Sequence, residues 1–562
     1  MLTVMRAFLS SLVERARDIP VRGALVAKLA RETGMMWSLS SRGVLEGARS
    51  LAKGAQNPSL IYRIHAANVP DKPALLFRDV MWTYREVDER IDRLAKGLVR
   101  RGLGRGKSVL VMLPNCLEMV LISSACARVG ASAVAVSWRS RPEELVYLVN
   151  HSGARGIVTD PSLLSVVGEA SAGFLDPVVS KNTFVVGPAA TDGATSFEDL
   201  YGAGGRFSAE SGADDDAAVV VYTSGTTGKP KGAVRKFPKD TLAAAVRFLL
   251  ETPLRTDDVH LVACPMYHST AYGFLSLSHV TGATCVLLDE WKPETFLAAI
   301  ERHAVTTSAV VPTMLHRVLA LPEQTRQRYD ARTLRALFSG GAPLSASLAT
   351  AFMDAYGDVL YNFYGATETG LVTLAKPSDM RAAPGTIGAA LPGNDVRLLS
   401  DDGKEVGPGE VGELFVKSPL LVAGYHGDQA STEKSMLDGY FSVGDLARRD
   451  PEGRFFIEGR KRDMVISGGV NVYPVEIEAL LESHPEVLEA AVVGVPDAEW
   501  GERVRAFVVL HEGKNLDDAT LKAWLKERLA GPKLPRDIVF LATLPRNPTG
   551  KVLKRDLVTA KT

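Results

Sequence analysis

The chain has 562 residues, enough for several domains with a sizeable core. Its 65 Lys and Arg balance its 65 Asp and Glu, which gives no sign of a general nucleic-acid binder, and a hydrophobic fraction of 46% is ordinary for a soluble globular protein. Cys116, Cys126, Cys264 and Cys285 are scattered without a C-x-x-C, and no run of about 18 uncharged apolar residues occurs. These features argue against a disulfide framework, a zinc site and a spanning helix, and they fit a reducing cytoplasm.

Residues 1–55 read as a basic amphipathic addition to the main body. Leu2–Val13 is apolar but broken by Arg6, and acidic residues and Pro20 follow, so a secretory signal is not expected. Basic residues from Arg6 to Lys53 outnumber Glu14, Asp18, Glu32 and Glu46, with apolar residues and Trp37 interleaved. Such a stretch suits peripheral contact with an anionic membrane surface. The plainer alternative is a helical arm packed on the protein's own body or on a second subunit of a homodimer.

From about residue 57 an α/β body begins. Thr83-Tyr-Arg-Glu86 has capping-box spacing, Val87, Ile91, Leu94 and Leu98 repeat at helical intervals, and Gly102 supplies a stop. Val109–Leu113 reads as a buried strand and Leu117–Val129 as the next helix, an alternation that predicts parallel sheets covered by helices. Residues 187–216, rich in Gly, Ala, Ser and Asp, read as a surface connection. The apolar run 217–221 predicts a buried strand, and it runs straight into Y-T-S-G-T-T-G-K-P-K-G at 222–232. Glycines that admit a close approach, clustered N–H groups, hydroxyls and Lys229 and Lys231 suit a polyphosphate, although the spacing is not that of a Walker loop. A solvated hairpin turn would not need two Thr, two Lys and a Pro together.

Five further segments carry chemistry. Cys264-Pro-Met-Tyr-His268-Ser follows a strand at 260–263. Phe338-Ser-Gly-Gly-Ala-Pro343 follows 334–337. Tyr361-Asn-Phe-Tyr-Gly-Ala-Thr-Glu368-Thr-Gly370 pairs aromatics with a hydroxyl and a carboxylate, and Glu368 has the oxygen ligands that Mg²⁺ takes alongside water and phosphate. The alternative, a plain surface Glu368, requires it to face solvent, because a buried carboxylate without a cation is costly. Tyr440-Phe-Ser-Val-Gly-Asp445 and Phe456-Ile-Glu-Gly-Arg460-Lys-Arg-Asp463 come next. The tail reads as a compact α/β unit: Pro474 opens a helix with Ile477, Leu480 and Leu481, strands follow at 487–495 and 504–510, a helix at 521–529, and then Pro545-Arg-Asn-Pro-Thr-Gly-Lys551.

In this order the motifs resemble those of the adenylate-forming, or AMP-binding, enzymes: acyl-CoA synthetases, luciferases and peptide-synthetase adenylation domains. The resemblance covers nearly everything from about residue 57 to Arg555. It implies an α/β fold with a large, multi-subdomain adenylation domain built on parallel sheets, 56–459, and a small mobile C-terminal α/β domain, 460–562. It implies that ATP phosphates meet Thr223, Ser224, Gly225, Thr226, Thr227, Gly228, Lys229 and Lys231. Gly341, Ala342 and Pro343 would lie on adenine with Tyr364 and Gly365, Thr367 on the α-phosphate, and Thr223 and Glu368 at Mg²⁺. Asp445 would hold the ribose, Arg460 ribose or phosphate, and Lys551 the developing charge in acyl-adenylate formation. Ser467, Gly468 and Gly469 would face the channel for CoA after the small domain turns. His268 would border the acid or the thiol entrance. The hinge in relatives commonly uses Asp or Lys; here Arg462 stands beside Asp463, which leaves the pivot open.

The expected activity is ATP-dependent joining of a carboxylic acid to CoA, with a medium- or long-chain fatty acid as the chosen substrate. Met266, Tyr267, Ala271, Tyr272, Gly273 and Phe274 are expected to wall the acid pocket, and small Gly340 and Ala342 to give it depth. Other readings are an aryl-acid ligase, a synthetase loading a carrier protein, a β-lactone-forming synthetase, and, in another class, a lipid-binding scaffold without turnover. No carrier domain is read after Lys551.

Overall fold

The structure is a computed structural model that describes residues 28–35, 40–52, 58–187, 194–207, 218–223, 231–236, 240–422, 424–426, 428–467, 470–529, 531–546 and 552–558. Among these residues the strands form four sheets. A nine-stranded sheet runs parallel through Pro73–Phe77, Thr284–Leu287, Val259–Val262, Thr307–Val310, Ala336–Ser339 and Leu360–Ala366, with antiparallel strands at both edges. A seven-stranded sheet is parallel until its last pair, Ala218–Thr223 and Lys231–Lys236, which is an antiparallel hairpin. A six-stranded antiparallel sheet spans Asp395–Arg460. The fourth, five-stranded sheet begins at Val465 and builds the small C-terminal domain.

Local sequence explains the helices between the first two sheets. Thr83 and Glu86 close the capping box that starts Tyr84–Arg100, with the Thr83 N–H donating to Glu86 Oε2 at 2.8 Å. The helix predicted at Leu117–Val129 has those bounds and ends on Gly130 at φ 73°. Val87, Ile91, Leu94 and Leu98 are fully buried, in one apolar core with Val120 and Leu121 of the second helix and with Leu75 and Val109 of the two sheets. Each such side chain contributes about 1.5–3 kcal/mol by leaving water.

Arg128, fully buried near the end of the second helix, ties the layers together. Its guanidinium lies 2.7 Å from Asp88 and 2.8 Å from Asp92, and it donates to the Ser59 carbonyl at 2.8 Å. Arg63 joins Asp92 from the helix Leu60–Asn68, so that helix is clamped to the body by charge.

The segment predicted as a surface connection is more than that. Thr195–Ser196 adds a strand to the seven-stranded sheet, and Phe197 and Leu200 are buried against the Tyr84–Arg100 layer. Ahead of the body, Leu29 is buried in an apolar cluster with Val246 and Leu249, and the Thr256 N–H donates to the Thr33 carbonyl at 2.9 Å. Glu46 pairs with Arg206. The described parts of the extension therefore pack on the body, the plainer of the two expectations. No helix among the described residues is long and apolar enough to cross a membrane.

Candidate active site

Parallel strands deliver the site. His268 lies beyond the C-terminal end of Val259–Val262, Gly341 beyond Ala336–Ser339, and Thr367 and Glu368 beyond Leu360–Ala366. The strands are parallel, so these loops emerge at one edge of the sheet, where open α/β folds bind ligands. One cleft of about 3340 Å³ is lined by His268, Gly341, Ala342, Pro343, Tyr364, Gly365, Thr367, Glu368, Asp445 and Arg460. Residues expected together from scattered motifs are thus brought to a single cleft.

Asp445 and Arg460 pair across adjacent antiparallel strands of the six-stranded sheet, and Arg460 Nε lies 3.1 Å from Asp445 Oδ1. Tyr364, from the nine-stranded sheet, donates its hydroxyl to Asp445 Oδ2 at 2.7 Å. Burial, and then the neighbouring Asp445 carboxylate, push the Tyr364 phenol well above its usual value, so it stays a donor. Gly444, at φ 79°, turns the chain into Asp445.

Glu368 is 7% exposed, which removes the reading of a surface carboxylate. Its Oε1 accepts from the Tyr425 hydroxyl at 3.1 Å, and no Lys or Arg among the described residues pairs with it. A strap formed by Val422 and Gly424–His426 holds this region. The Val422 N–H donates to the Glu368 carbonyl at 2.8 Å, Tyr425 bridges Ala233, and the His426 N–H donates to the Gly232 carbonyl at 2.7 Å. Tyr425 was not legible as a site residue. It follows a glycine in a stretch without periodicity, and its relation to Glu368 is purely tertiary.

His268 caps the helix Ser269–Thr281 and has a ring contact with Tyr267 at 4.2 Å between centroids. Burial pulls its pKa down to about 4, so the ring is neutral near pH 7, and its buried Nε2 has no hydrogen-bond partner in the described structure. A buried, neutral imidazole beside the cleft is not a standing base. Ser269 Oγ and Thr367 Oγ1 lie 3.4 Å apart on the same wall.

Two expectations about the acid pocket change. Ala271 is buried in the core and is not among the cleft residues, whereas Met266, Tyr267, Tyr272, Gly273 and Phe274 are. A Cβ on Gly340 would sit 2.4 Å from the Phe363 ring, so Phe363 occupies the room that a side chain there would take, and Gly340 adds no depth.

The small domain also contributes to the cleft lining, through Glu478, Glu482, Arg546 and Val552–Arg555. His316 of the large domain and His511 of the small one meet at 6.1 Å between ring centroids. Ile466 and Val470, on the hairpin Val465–Ser467/Val470–Val472, are exposed, while Ser467 is buried. A short helical turn, Lys461–Asp463, joins the domains, and Lys461 pairs there with Asp401 at 2.8 Å and Glu413 at 3.0 Å. Residues 224–230, Gly468, Gly469 and Lys551 lie outside the described residues, as do the side chains of Thr223 and Lys231.

The model of the AMP-binding enzyme family matches residues 62–426, and that of the AMP-binding enzyme C-terminal domain matches 476–551. The chain belongs to the AMP-binding enzyme family. It is 36% identical over 478 residues to a feruloyl-CoA synthase of Amycolatopsis sp, covering 84% of this chain and 93% of that protein. It is 31% identical over 477 residues to the long-chain-fatty-acid–CoA ligase FadD13 of Mycobacterium tuberculosis, covering 85% and 92%. Among solved structures, the anthranilate CoA ligase AuaEII in complex with anthranoyl-AMP is similar with a TM-score of 0.83 at 27% identity, covering 90% of this chain and 96% of that one. For this AMP-binding enzyme, the large α/β domain on parallel sheets and the small C-terminal domain match the expected fold.

Proposed function

We propose that this chain is an acid–CoA ligase that activates a carboxylic acid with ATP as an acyl-adenylate and passes the acyl group to CoA. A medium- or long-chain fatty acid is the favoured substrate. The observation that carries the reading is Glu368, a buried carboxylate with a hydroxyl donor but no cation among its described partners, on one wall with the Tyr364–Asp445–Arg460 group. A buried carboxylate without a counter-charge is unfavourable, and a divalent cation brought with the nucleotide relieves it. No cluster of three or more His, Cys, Asp and Glu occurs among the described residues, which suits an ion that takes the rest of its ligands from water and phosphate. Glu368, with Thr223, would hold Mg²⁺, whose positive charge would offset the charge growing on the phosphates.

In the first half-reaction a carboxylate oxygen of the acid attacks the α-phosphorus of ATP. The bond from that phosphorus to the bridging oxygen breaks, and pyrophosphate leaves. Asp445 takes the ribose hydroxyls, with Tyr364 and Arg460 fixing its orientation. Thr367 holds the α-phosphate, and His268 offers its neutral ring to the acid. Lys551 would supply the fixed cation at the α-phosphate. In the second half-reaction the CoA thiolate attacks the acyl carbonyl and AMP leaves. For this the small domain turns at Lys461–Asp463, taking Lys551 away and bringing Ser467, Gly468 and Gly469 inward.

A second reading, an aryl acid as substrate, is favoured by the 36% identity to feruloyl-CoA synthases. The test is a panel of fatty and aryl acids with ATP and Mg²⁺, with and without CoA, read as AMP and pyrophosphate released. Acid-dependent AMP in both arms and a thioester only with CoA is the expected result. Release of ADP, or no nucleotide cleavage with any acid, would overturn the reading.

A further inference from the structure

Glu368 sits in the turn between the antiparallel strands Leu360–Ala366 and Gly370–Ala375. Its main chain is held from two sides. Within the turn the Ala366 N–H donates to Thr369 Oγ1 at 3.1 Å, and from outside the Val422 N–H donates to the Glu368 carbonyl at 2.8 Å. The side chain can still rotate, and its orientation is left to whatever meets the carboxylate. Among the described residues one donor does so, the Tyr425 hydroxyl on Oε1 at 3.1 Å, and none reaches Oε2. The carboxylate lines the cleft.

Tyr425 is itself fixed. Its N–H donates to Thr432 Oγ1 at 3.0 Å, it pairs with Ala233 in an antiparallel bridge, and its ring packs 6.1 Å from that of the buried Phe441. Gly424 makes this possible. It has φ 139°, and a Cβ on it would stand 2.9 Å from the Thr432 side chain, so only glycine lets the chain come close enough to bond Thr432. The phenol is therefore a donor held in place by its main chain and by its ring, and it carries no charge.

We propose that Tyr425 is a positioning residue for the cation site: its hydroxyl takes one oxygen of Glu368, holds the carboxylate in one orientation and leaves the other oxygen for the divalent ion that arrives with ATP. The proposal deepens the acid–CoA ligase reading and rests on it for the role of Glu368. A carboxylate that turned freely would have to be ordered as the ion bound, and ordering it beforehand removes that cost. The absence of charge on the donor matters as much as its position. A Lys or Arg in its place would pair with the carboxylate and compete with the ion, whereas a phenol orients the group and leaves its charge unneutralised. Partners that orient a metal-binding group in this way are worth about 10–100-fold in metal affinity.

The test compares wild type with Tyr425→Phe, Glu368→Gln and the double variant. Tyr425→Phe keeps the ring beside Phe441 and the main-chain bonds and removes only the hydroxyl, and thermal unfolding checks that it folds. Mn²⁺ is the probe. Its binding to protein loaded with a non-hydrolysable ATP analogue is read, without turnover, from the loss of the paramagnetic resonance signal of unbound Mn²⁺. The expected result is that Tyr425→Phe holds Mn²⁺ about tenfold more weakly or worse, while affinity for the nucleotide without metal stays within about twofold of wild type. In acid-dependent AMP formation the variant should show a raised KM for Mg²⁺ and a kcat close to wild type once Mg²⁺ saturates. Glu368→Gln should weaken Mn²⁺ further, and adding Tyr425→Phe to it should change nothing more, because the group that the hydroxyl orients no longer binds the ion. If Glu368→Gln loses Mn²⁺ but folded Tyr425→Phe binds it within twofold of wild type, the positioning role is overturned and the role of Glu368 stands. An equal loss of metal-free nucleotide, or a full further loss in the double variant, would overturn it too, since either marks a merely structural tyrosine. If neither single variant changes Mn²⁺ binding, both roles fall together.

Discussion

Tyr364 and Asp445 come from two different sheets and meet at 2.7 Å, with the phenol donating to the carboxylate. The carboxylate is held on its other side by Arg460 at 3.1 Å, so its orientation is set before any ligand arrives. Asp445→Ala should raise the KM for ATP about 10- to 100-fold, the worth of a hydrogen bond to a charged group of about 1.5–3 kcal/mol. Acid-dependent pyrophosphate exchange at varied ATP measures it. Unchanged nucleotide kinetics would take Asp445 out of the ribose site.

Lys551→Ala should separate the two half-reactions. Pyrophosphate exchange should fall by about 10²–10³, the usual cost of removing one fixed donor or charge from a transition state. Conversion of supplied acyl-adenylate and CoA to thioester should persist, because in the proposed mechanism the lysine leaves the site before that step. Equal loss of both activities would contradict the division of labour between the domains.

Arg128→Met should destabilise the large domain by about 3–5 kcal/mol, since it leaves buried Asp92 and partly buried Asp88 with one guanidinium fewer. Denaturant unfolding at pH 7.5 measures this. A loss below about 1 kcal/mol would show that Arg63 alone neutralises the pair.

The two domains should respond to pH with opposite sign. Burial pulls His65, His268 and His279 down to about 4 and His260 to about 3 from an ordinary 6.5. The stability they contribute is present above 6.5 and is lost as pH falls toward those folded values, by up to roughly 3 kcal/mol each for shifts of this size. Burial, and then Glu478, push Glu482 up to about 7 from 4.5. Its contribution is full below 4.5 and is lost as pH rises through 7. Calorimetry should find the large domain weaker at pH 5 than at pH 7.5. Glu482→Gln should raise the small domain's unfolding temperature at pH 8 and not at pH 4.5. An equal shift at both pH values would refute the assignment to Glu482.

What could be read in the chain beforehand was whatever is encoded locally. The capping box at Thr83–Glu86 and the run Leu117–Val129 carry their own start, period and stop, and the structure keeps them. Thr367 and Glu368 could be singled out as candidates because a hydroxyl and a carboxylate follow the aromatics in one short segment, and the structure puts both on the cleft. Tyr425 was not, since it reaches Glu368 across 57 residues through a strap with no repeating pattern. Gly340 was misjudged for a related reason: sequence shows that a side chain is missing, but not whether a neighbour such as Phe363 has moved into the gap. Phe197 and Leu200 were hidden by the polar company they keep in 187–216.

The strap at Val422 and Gly424–His426 has a mechanical consequence. It is bonded on one side to the hairpin strand Lys231–Lys236, which leads out of the glycine-rich stretch, and on the other to Glu368. Neither can shift alone without breaking a bond that Tyr425 or its neighbours make to the other. A displacement of the strand Lys231–Lys236 is therefore felt through the strap at Glu368.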